Sequence, residues 1–337
     1  MKLASFIQKD YPYMNARVSA KGAKLLDRSD YENLLKMEPN EIARKLEEGE
    51  YKEEINELGS YLDGVELVET ALRMNAARTL SDLVEMSPES LKGVLKIYMR
   101  RYELQNLKRL LRAKEAGREL ELKTDIVPGS AYTVKELEEL AEKDYEDIIE
   151  EISFDGLVDY QDHLQDAEEL TEVEKALDQA YLDELNTLAG KTGSLKLSRF
   201  VREEIEYENL RIILRLKRYG VDESEIREKI FRNGGGITEE VLNSNSFEDA
   251  LEVLQESDWD IDTESDLEEI EHQLDVKRLR KARSTLRSSP LGIAPIMAYI
   301  VAKMIEVKNL RTMIQAKATG IQSNEEIRKN LVIIDGR

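Results

Sequence analysis

Apolar residues recur along most of this chain at intervals of three and four, as in Ile205, Leu210, Ile213, Leu214 and Leu216. That spacing lines one face of an α-helix. No segment alternates apolar and polar residues for long enough to predict a strand. Between the runs stand helix-start signals. Capping boxes of the form Ser or Thr, two residues, then an acid begin at Ser29, Thr133, Thr171 and Ser323, and Thr263 with Asp266 repeats the pattern. Ser87 followed by Pro88 predicts a cap with proline in the first helical turn. The pattern predicts an all-α fold.

The periodicity also repeats on a longer scale. ELQNLKRLLRAKEAG from Glu103, EYENLRIILRLKRYG from Glu206 and EVKNLRTMIQAKATG from Glu306 align without gaps, with spacings of 103 and 100 residues. Each places a Glu, then Asn106, Asn209 or Asn309, and closes on Lys114, Lys217 or Lys317 followed by Gly117, Gly220 or Gly320. A second anchor lies upstream, VETAL at Val68, VEKAL at Val173 and IEHQL at Ile270. From its Glu to the motif Asn is 37, 35 and 38 residues. Copies two and three also share EIR, from Glu225 and Glu326. This is a triplication whose unit is too long for a solenoid repeat and suits a small domain. The expected domains are 1–121, 122–221 and 222–337, with LKTDIVPGSAYT from Leu122 as a linker.

The repeated Lys and Gly have a structural explanation: Gly past a helix end takes the left-handed conformation, and Lys in the last turn meets the negative end of its helix dipole. Glu and Asn need another, since Glu103 lies about 16 Å along the axis from Lys114. Asn is a mediocre helix former. It either hydrogen-bonds a neighbouring helix within each copy or faces a shared axis and a partner. Glu103, Asn106, Glu206, Asn209, Glu306 and Asn309 are therefore the candidate partner-binding residues.

Composition narrows the chemistry. The 70 acidic residues against 49 basic ones give a net charge of −21, which argues against a general nucleic-acid binder and fits a salt-adapted surface. With no Cys there is no disulfide, thiolate zinc site or thiol nucleophile. The longest charge-free stretch, Ser288 to Ala302, has 15 residues, short of a bilayer span, and the start of the chain forms no signal sequence. A soluble, intracellular protein is expected.

Each candidate active site has a simpler reading. Gly190-Lys191-Thr192 ends like a phosphate loop, but the position needing an earlier Gly is Leu185, so a loop between helices is expected. Asp258 to Glu269 spaces its acids like a calcium loop, but Thr263 stands where Gly is required, so an acidic connector is expected. His163 and His272 belong to no paired motif. No catalytic residue, metal site or cofactor is expected, and nucleotide binding is not.

At these residues, and most clearly over PLGIAPIMAYIVAKMIEVKNLRTMIQAKATGIQSNEEIRKNLV from Pro290 and YPYMNARVSAKGAKLL from Tyr11, the chain resembles the C subunit of archaeal-type (A-type/V-type) ATP synthases, related to the d subunit of vacuolar ATPases. The resemblance implies three similar helical domains around a pseudo-threefold axis, funnel-like in shape. It implies a non-catalytic central-rotor subunit of a proton- or sodium-translocating complex. Its partners would be the central stalk subunits and the membrane proteolipid ring, and it would transmit torque between ion translocation and ATP synthesis or hydrolysis. Such a subunit would be a peripheral membrane protein on the cytoplasmic face of the cell membrane. The competing reading is a soluble helical scaffold or adaptor without a rotor role.

Overall fold

The structure, a computed structural model, describes residues 11–118, 132, 134–288, 292–320 and 323–334. Among these residues there is no strand. In chain order the helices are α1 Pro12–Gly22, α2 Arg28–Leu34, α3 Pro39–Glu47, α4 Lys52–Leu58, α5 Gly64–Glu85 and α6 Glu89–Glu115. Next come α7 Val134–Ala141, α8 Tyr145–Glu151, α9 Gln161–Leu164, α10 Leu170–Thr192 and α11 Leu195–Arg218. The chain continues with α12 Glu223–Lys229, α13 Gly236–Leu242, α14 Phe247–Gln255, α15 Leu267–Ser288, α16 Ala294–Thr319 and α17 Asn324–Lys329. The expected linker from Leu122 and the expected cap at Thr133 lie outside the described residues.

Packing divides the described chain into two compact units, one within Glu89–Leu120 and Lys135–Lys277, the other within Asp10–Pro88 and Arg278–Arg337. In the first, α11 buries Tyr207, Leu210, Ile213 and Leu214 against Ile226 of α12 and Ile270 and Leu274 of α15. In the second, α16 buries Leu310, Met313 and Ile314 against Ile327 of α17 and Val68 and Leu72 of α5. The first half of α16 is buried all round, from Pro295 to Lys303, as an apolar helix inside a protein core must be. Among the described residues no helix is long and apolar enough to cross a membrane.

Helix starts follow local chemistry more closely than the expected caps do. Ser323 and Glu326 form the expected capping box. At α2 the cap is Asp27 with Asp30 rather than Ser29, and at α10 it is Glu169 with Glu172 rather than Thr171. Asp266 takes the Glu269 N–H at the start of α15, displacing Thr263. A carboxylate near a helix N-terminus also meets the positive end of the dipole, and each replacement supplies one. At the end of α5 the Ser87 hydroxyl donates to Leu83 O at 2.5 Å.

The three motif helices end alike. Gly117, Gly220 and Gly320 have φ of +61°, +71° and +62°. The N–H groups of Arg118 and Val221 reach back to Ala113 O and Leu216 O at 2.8 and 3.1 Å, closing the last turn. A Cβ added at any of the three glycines would meet nothing within 4 Å, so a substitution there is opposed by backbone conformation alone. Gly220→Val is expected to lower stability by about 1–2 kcal/mol in thermal or urea melting. Gly190, inside the last turns of α10 with equally open space, is the control. Gly190→Ala is expected to raise stability by about 0.5–1 kcal/mol.

Candidate functional site

The motif helices carry their polar residues inward. Asn106, Asn209 and Asn309 are 1%, 0% and 1% exposed, and Glu103 and Glu306 are 6% and 5% exposed. Asn309 Nδ2 donates to Val332 O at 2.8 Å, and its Oδ1 accepts the Val332 N–H at 2.8 Å. Asn209 does the same to residue 231, with Phe231 O and N each at 2.8 Å. A buried backbone N–H and C=O need partners, and a primary amide supplies a donor and an acceptor in one plane. The partner is irregular backbone just past a short helix, where a neighbouring helix was expected.

The shared EIR sets the register of this clamp. Ile226 and Ile327 are 0% and 1% exposed and pin α12 and α17 onto the core. Arg227 pairs with Glu239 on α13, and Arg328 with Glu32 on α2. Both clamped residues stand six positions after the Glu of EIR, a spacing visible in the sequence.

The repeated Glu binds what comes next in the core. Glu306 Oε2 accepts the Leu26 N–H at 2.6 Å, and Oε1 accepts from the Tyr51 hydroxyl at 2.7 Å and from Lys303 Nζ at 2.8 Å. Burial, then the neighbouring Glu306 carboxylate, pushes the Tyr51 phenol well above its ordinary pKa, so it stays a donor. Glu206 Oε1 accepts from Trp259 Nε1 at 2.9 Å. Tyr51 and Trp259 each stand four residues past the end of α3 or α14, which makes them counterparts.

Copy one reaches the same arrangement from another helix. Glu184 of α10 accepts the Leu157 N–H at 2.8 Å and the Tyr160 hydroxyl at 3.2 Å, and pairs with Arg100. Arg100 and Lys303 both stand three residues before the motif Glu. Glu103 keeps an Arg100 contact at 3.6 Å, and Asn106 is buried and partnered.

The lysines stand in the last turns of their own helices, and two of them also reach a neighbour. Lys217 Nζ donates to Ser244 O at 2.5 Å and Lys317 Nζ to Leu35 O at 2.9 Å, just beyond the C-terminal ends of α13 and α2. They meet a neighbour's helix end, where free carbonyls and the negative dipole end coincide. Lys114 is half-buried near the end of α6.

The upstream anchor Glu is explained by the same helices. Glu174 receives Arg112 and Glu271 receives Arg215, each through two guanidinium nitrogens, and Glu69 receives Gln315 Nε2 at 2.5 Å. Burial works against the Glu271 carboxylate, but the Arg215 and Arg211 guanidiniums hold its pKa below the usual range. Each donor stands six residues after a motif Asn, so each motif helix pairs with the anchor of the following copy, and the last with the first.

The other sequence candidates have structural duties. Gly190-Lys191-Thr192 is the last turn of α10, not a loop, with the Thr192 hydroxyl donating to Ala189 O at 2.8 Å. In the acidic connector Asp260 pairs with Lys277 at 2.6 Å and Asp266 caps α15. His163 Nε2 lies 3.1 Å from Asp183 Oδ2.

Comparison with known proteins then decides the family. The profile of the ATP synthase (C/AC39) subunit family matches residues 14–330. The chain belongs to that family. It is 35% identical to the C subunit of the A-type ATP synthase of Methanococcoides burtonii, over 96% of this chain and 94% of that protein. It is 32% identical to the protein of the same name from Archaeoglobus fulgidus, over 96% of each chain. With Haloferax volcanii the figure is 28%, over 96% of this chain and 97% of the relative. This family member keeps its repeated polar residues inside the helical cores, and there the sequence missed Tyr51, Trp259, Arg100, Lys303 and Glu184.

Gly235 offers a sharp test of the Glu206 contact. A Cβ there would overlap Glu206 Oε2, whereas one at Gly236 would meet nothing within 4 Å. Gly235→Ala is expected to cost about 1–3 kcal/mol, the range for overpacking. Gly236→Ala should be neutral or slightly stabilising, and urea melting of the pair reads the difference.

Proposed function

We propose that this chain is the C subunit of an A-type ATP synthase, a non-catalytic part of the central rotor that links the central stalk to the membrane proteolipid ring. It would transmit torque between ion translocation and ATP synthesis or hydrolysis, bound peripherally at the cytoplasmic face of the membrane. The observation that carries this is the family match across residues 14–330, together with relatives that bear the name of that C subunit and match along nearly their whole length. The thrice-repeated pairing of motif helix and anchor Glu supports three similar helical domains about a pseudo-threefold axis. On this reading 1–121, 122–221 and 222–337 are the sequence units of the triplication, each completed in space by the anchor of the next. A rotor part needs stiffness and matching faces rather than a reaction centre, and the polar residues described above serve packing.

Fractionation tests the role. The chain is expected in membranes, co-purifying with a complex that hydrolyses ATP; recovery only with soluble partners would favour the adaptor reading.

A second experiment separates the two readings of the Asn residues. The Asn209→Ala and Asn309→Ala changes each leave a backbone N–H and C=O unpaired, at about 1–3 kcal/mol per unsatisfied group. The Asn106/Asn209/Asn309 triple Ala variant is expected to melt at markedly lower temperature yet bind the stalk normally where it is still folded. Unchanged melting with weakened stalk binding would make the asparagines direct contacts.

A further inference from the structure

About one residue in five of this chain is acidic, 70 of 337. Two segments break that rule. Residues 11–26 and 276–305 contain ten Lys and Arg and no Asp or Glu in 46 residues. At the average acidic density about ten would be expected.

The fold brings these two segments together within one unit. Asn15 Nδ2 donates to Gly292 O at 2.8 Å. Gly22, at the other end of α1, faces Leu286 and Tyr299, and Arg283 Nη2 donates to Leu26 O at 3.2 Å. α1 therefore packs along the start of α16, and its C-terminal end and the residues after it reach the second half of α15. Its exposed side carries Tyr13, 61% exposed, and Arg17 one turn later. The exposed side of α15 carries Arg280, Lys281, Ser284 and Arg287. Lys21 and Lys24 have acidic partners from outside the two segments, Asp82 at 3.6 Å and Glu50 at 2.7 Å. Arg17 and Arg280 have no carboxylate within ion-pair distance among the described residues.

We propose that the cationic face made by α1 and Arg278–Arg287, to which the two segments themselves contribute no acid, lies against an anionic phospholipid surface. A lipid headgroup layer presents one sign of charge everywhere, so every carboxylate facing it is repelled and every cation attracted. Two adjoining segments that carry ten cations and no acid answer that uniform field, and the neighbouring Asp82 and Glu50 are each paired with a lysine of α1 or its end. A protein partner presents both signs, and the face opposite it would be expected to mix them too. Tyr13 adds the amphipathic aromatic that favours the headgroup level, with Arg17 beside it on the same side of the helix. The inference goes beyond the rotor reading and does not depend on assembly, because the isolated chain carries the whole face.

The net charge of −21 makes the test clean, since the molecule as a whole is repelled by an anionic membrane. The isolated full chain is mixed at low salt with vesicles of phosphatidylglycerol and phosphatidylcholine, and separately with phosphatidylcholine alone, and bound protein is measured by sedimentation. Binding to the anionic vesicles only, weakened by salt, is expected. The double variant Arg17→Glu/Arg280→Glu should partition about tenfold more weakly or worse. Lys135→Glu, at an 84% exposed side chain in the other unit, should bind as the unaltered chain does. Should the double variant melt early, the single changes Arg17→Gln and Arg280→Gln carry the test, each with a partial loss. No binding to anionic vesicles, or binding that the Arg17 and Arg280 variants leave unchanged, overturns the proposal. So does binding to membranes carrying the proteolipid ring but never to protein-free vesicles, which would make the face a protein-docking surface.

Discussion

Irregular backbone cannot be buried unless something answers its N–H and C=O groups, and this fold answers them with a side-chain amide. Residues 231 and 332 lie against the motif helices where neither helix nor sheet can pair them, and Asn209 and Asn309 each supply one donor and one acceptor at 2.8 Å. Other features follow from that requirement. The motif helix must present Asn to the core, so its apolar ridge runs beside the polar stripe. The short helix carrying EIR must end before the clamp, and Ile226 or Ile327 must seat it. The glycine that ends the motif helix must turn left-handed so that the chain can come back along the helix it has just left.

The pairing of each motif helix with the next copy's anchor makes the polypeptide cyclic in its contacts while linear in its bonds. Glu69 meets Gln315 across 246 residues, and Leu26 meets Glu306 across 280. The core containing Tyr31, Val68 and Leu72 is completed by Leu310, Met313, Ile314, Ile327 and Leu331. An N-terminal segment made first must wait for a C-terminal helix made last, and contacts of such long separation are costly to close and slow to form. A buried polar centre at that junction helps to specify it. Lys303, Glu306 and Tyr51 satisfy one another only in the correct register, whereas apolar faces tolerate sliding.

The all-helical class was legible because it is a pattern of spacing, and the threefold recurrence of the motif was visible in the sequence on the same ground. The helix ends at Gly117, Gly220 and Gly320 were legible for the same reason, since one residue type dominates left-handed backbone. Caps were read less well: Ser29 and Thr171 fit a motif, but Asp27 and Glu169 stood two residues earlier and offered charge as well as an acceptor. The site was half legible. The stripe of Glu and Asn could be seen, and its partners could not, because Tyr51 and Trp259 sit at different distances from their anchors, 18 residues from Glu69 and 12 from Glu271. An insertion that leaves three-dimensional contacts intact erases the linear register on which repeat reading depends. Copy one's downstream joint lies outside the described residues, and its Asn106 is buried and partnered.

Copy one shows which part of the design is under physical constraint. Its motif Glu103 is retained and buried, yet Glu184 from α10 accepts the loop N–H and the tyrosine hydroxyl. Copy three draws the same carboxylate from the motif helix itself. In both, a cation three residues before the motif Glu neutralises the site, Arg100 in one and Lys303 in the other. What persists is therefore a constellation, one carboxylate receiving a backbone N–H, a phenol and a cation, and not the residue that supplies it. A lone buried carboxylate would be costly, and removing its cation would leave an uncompensated charge, so the members can change only together. That explains why copy one keeps the geometry while drawing the carboxylate from a different helix. The carboxylate can be supplied from either helix, α10 or α16, so long as one stands where the loop N–H, the phenol and the cation converge.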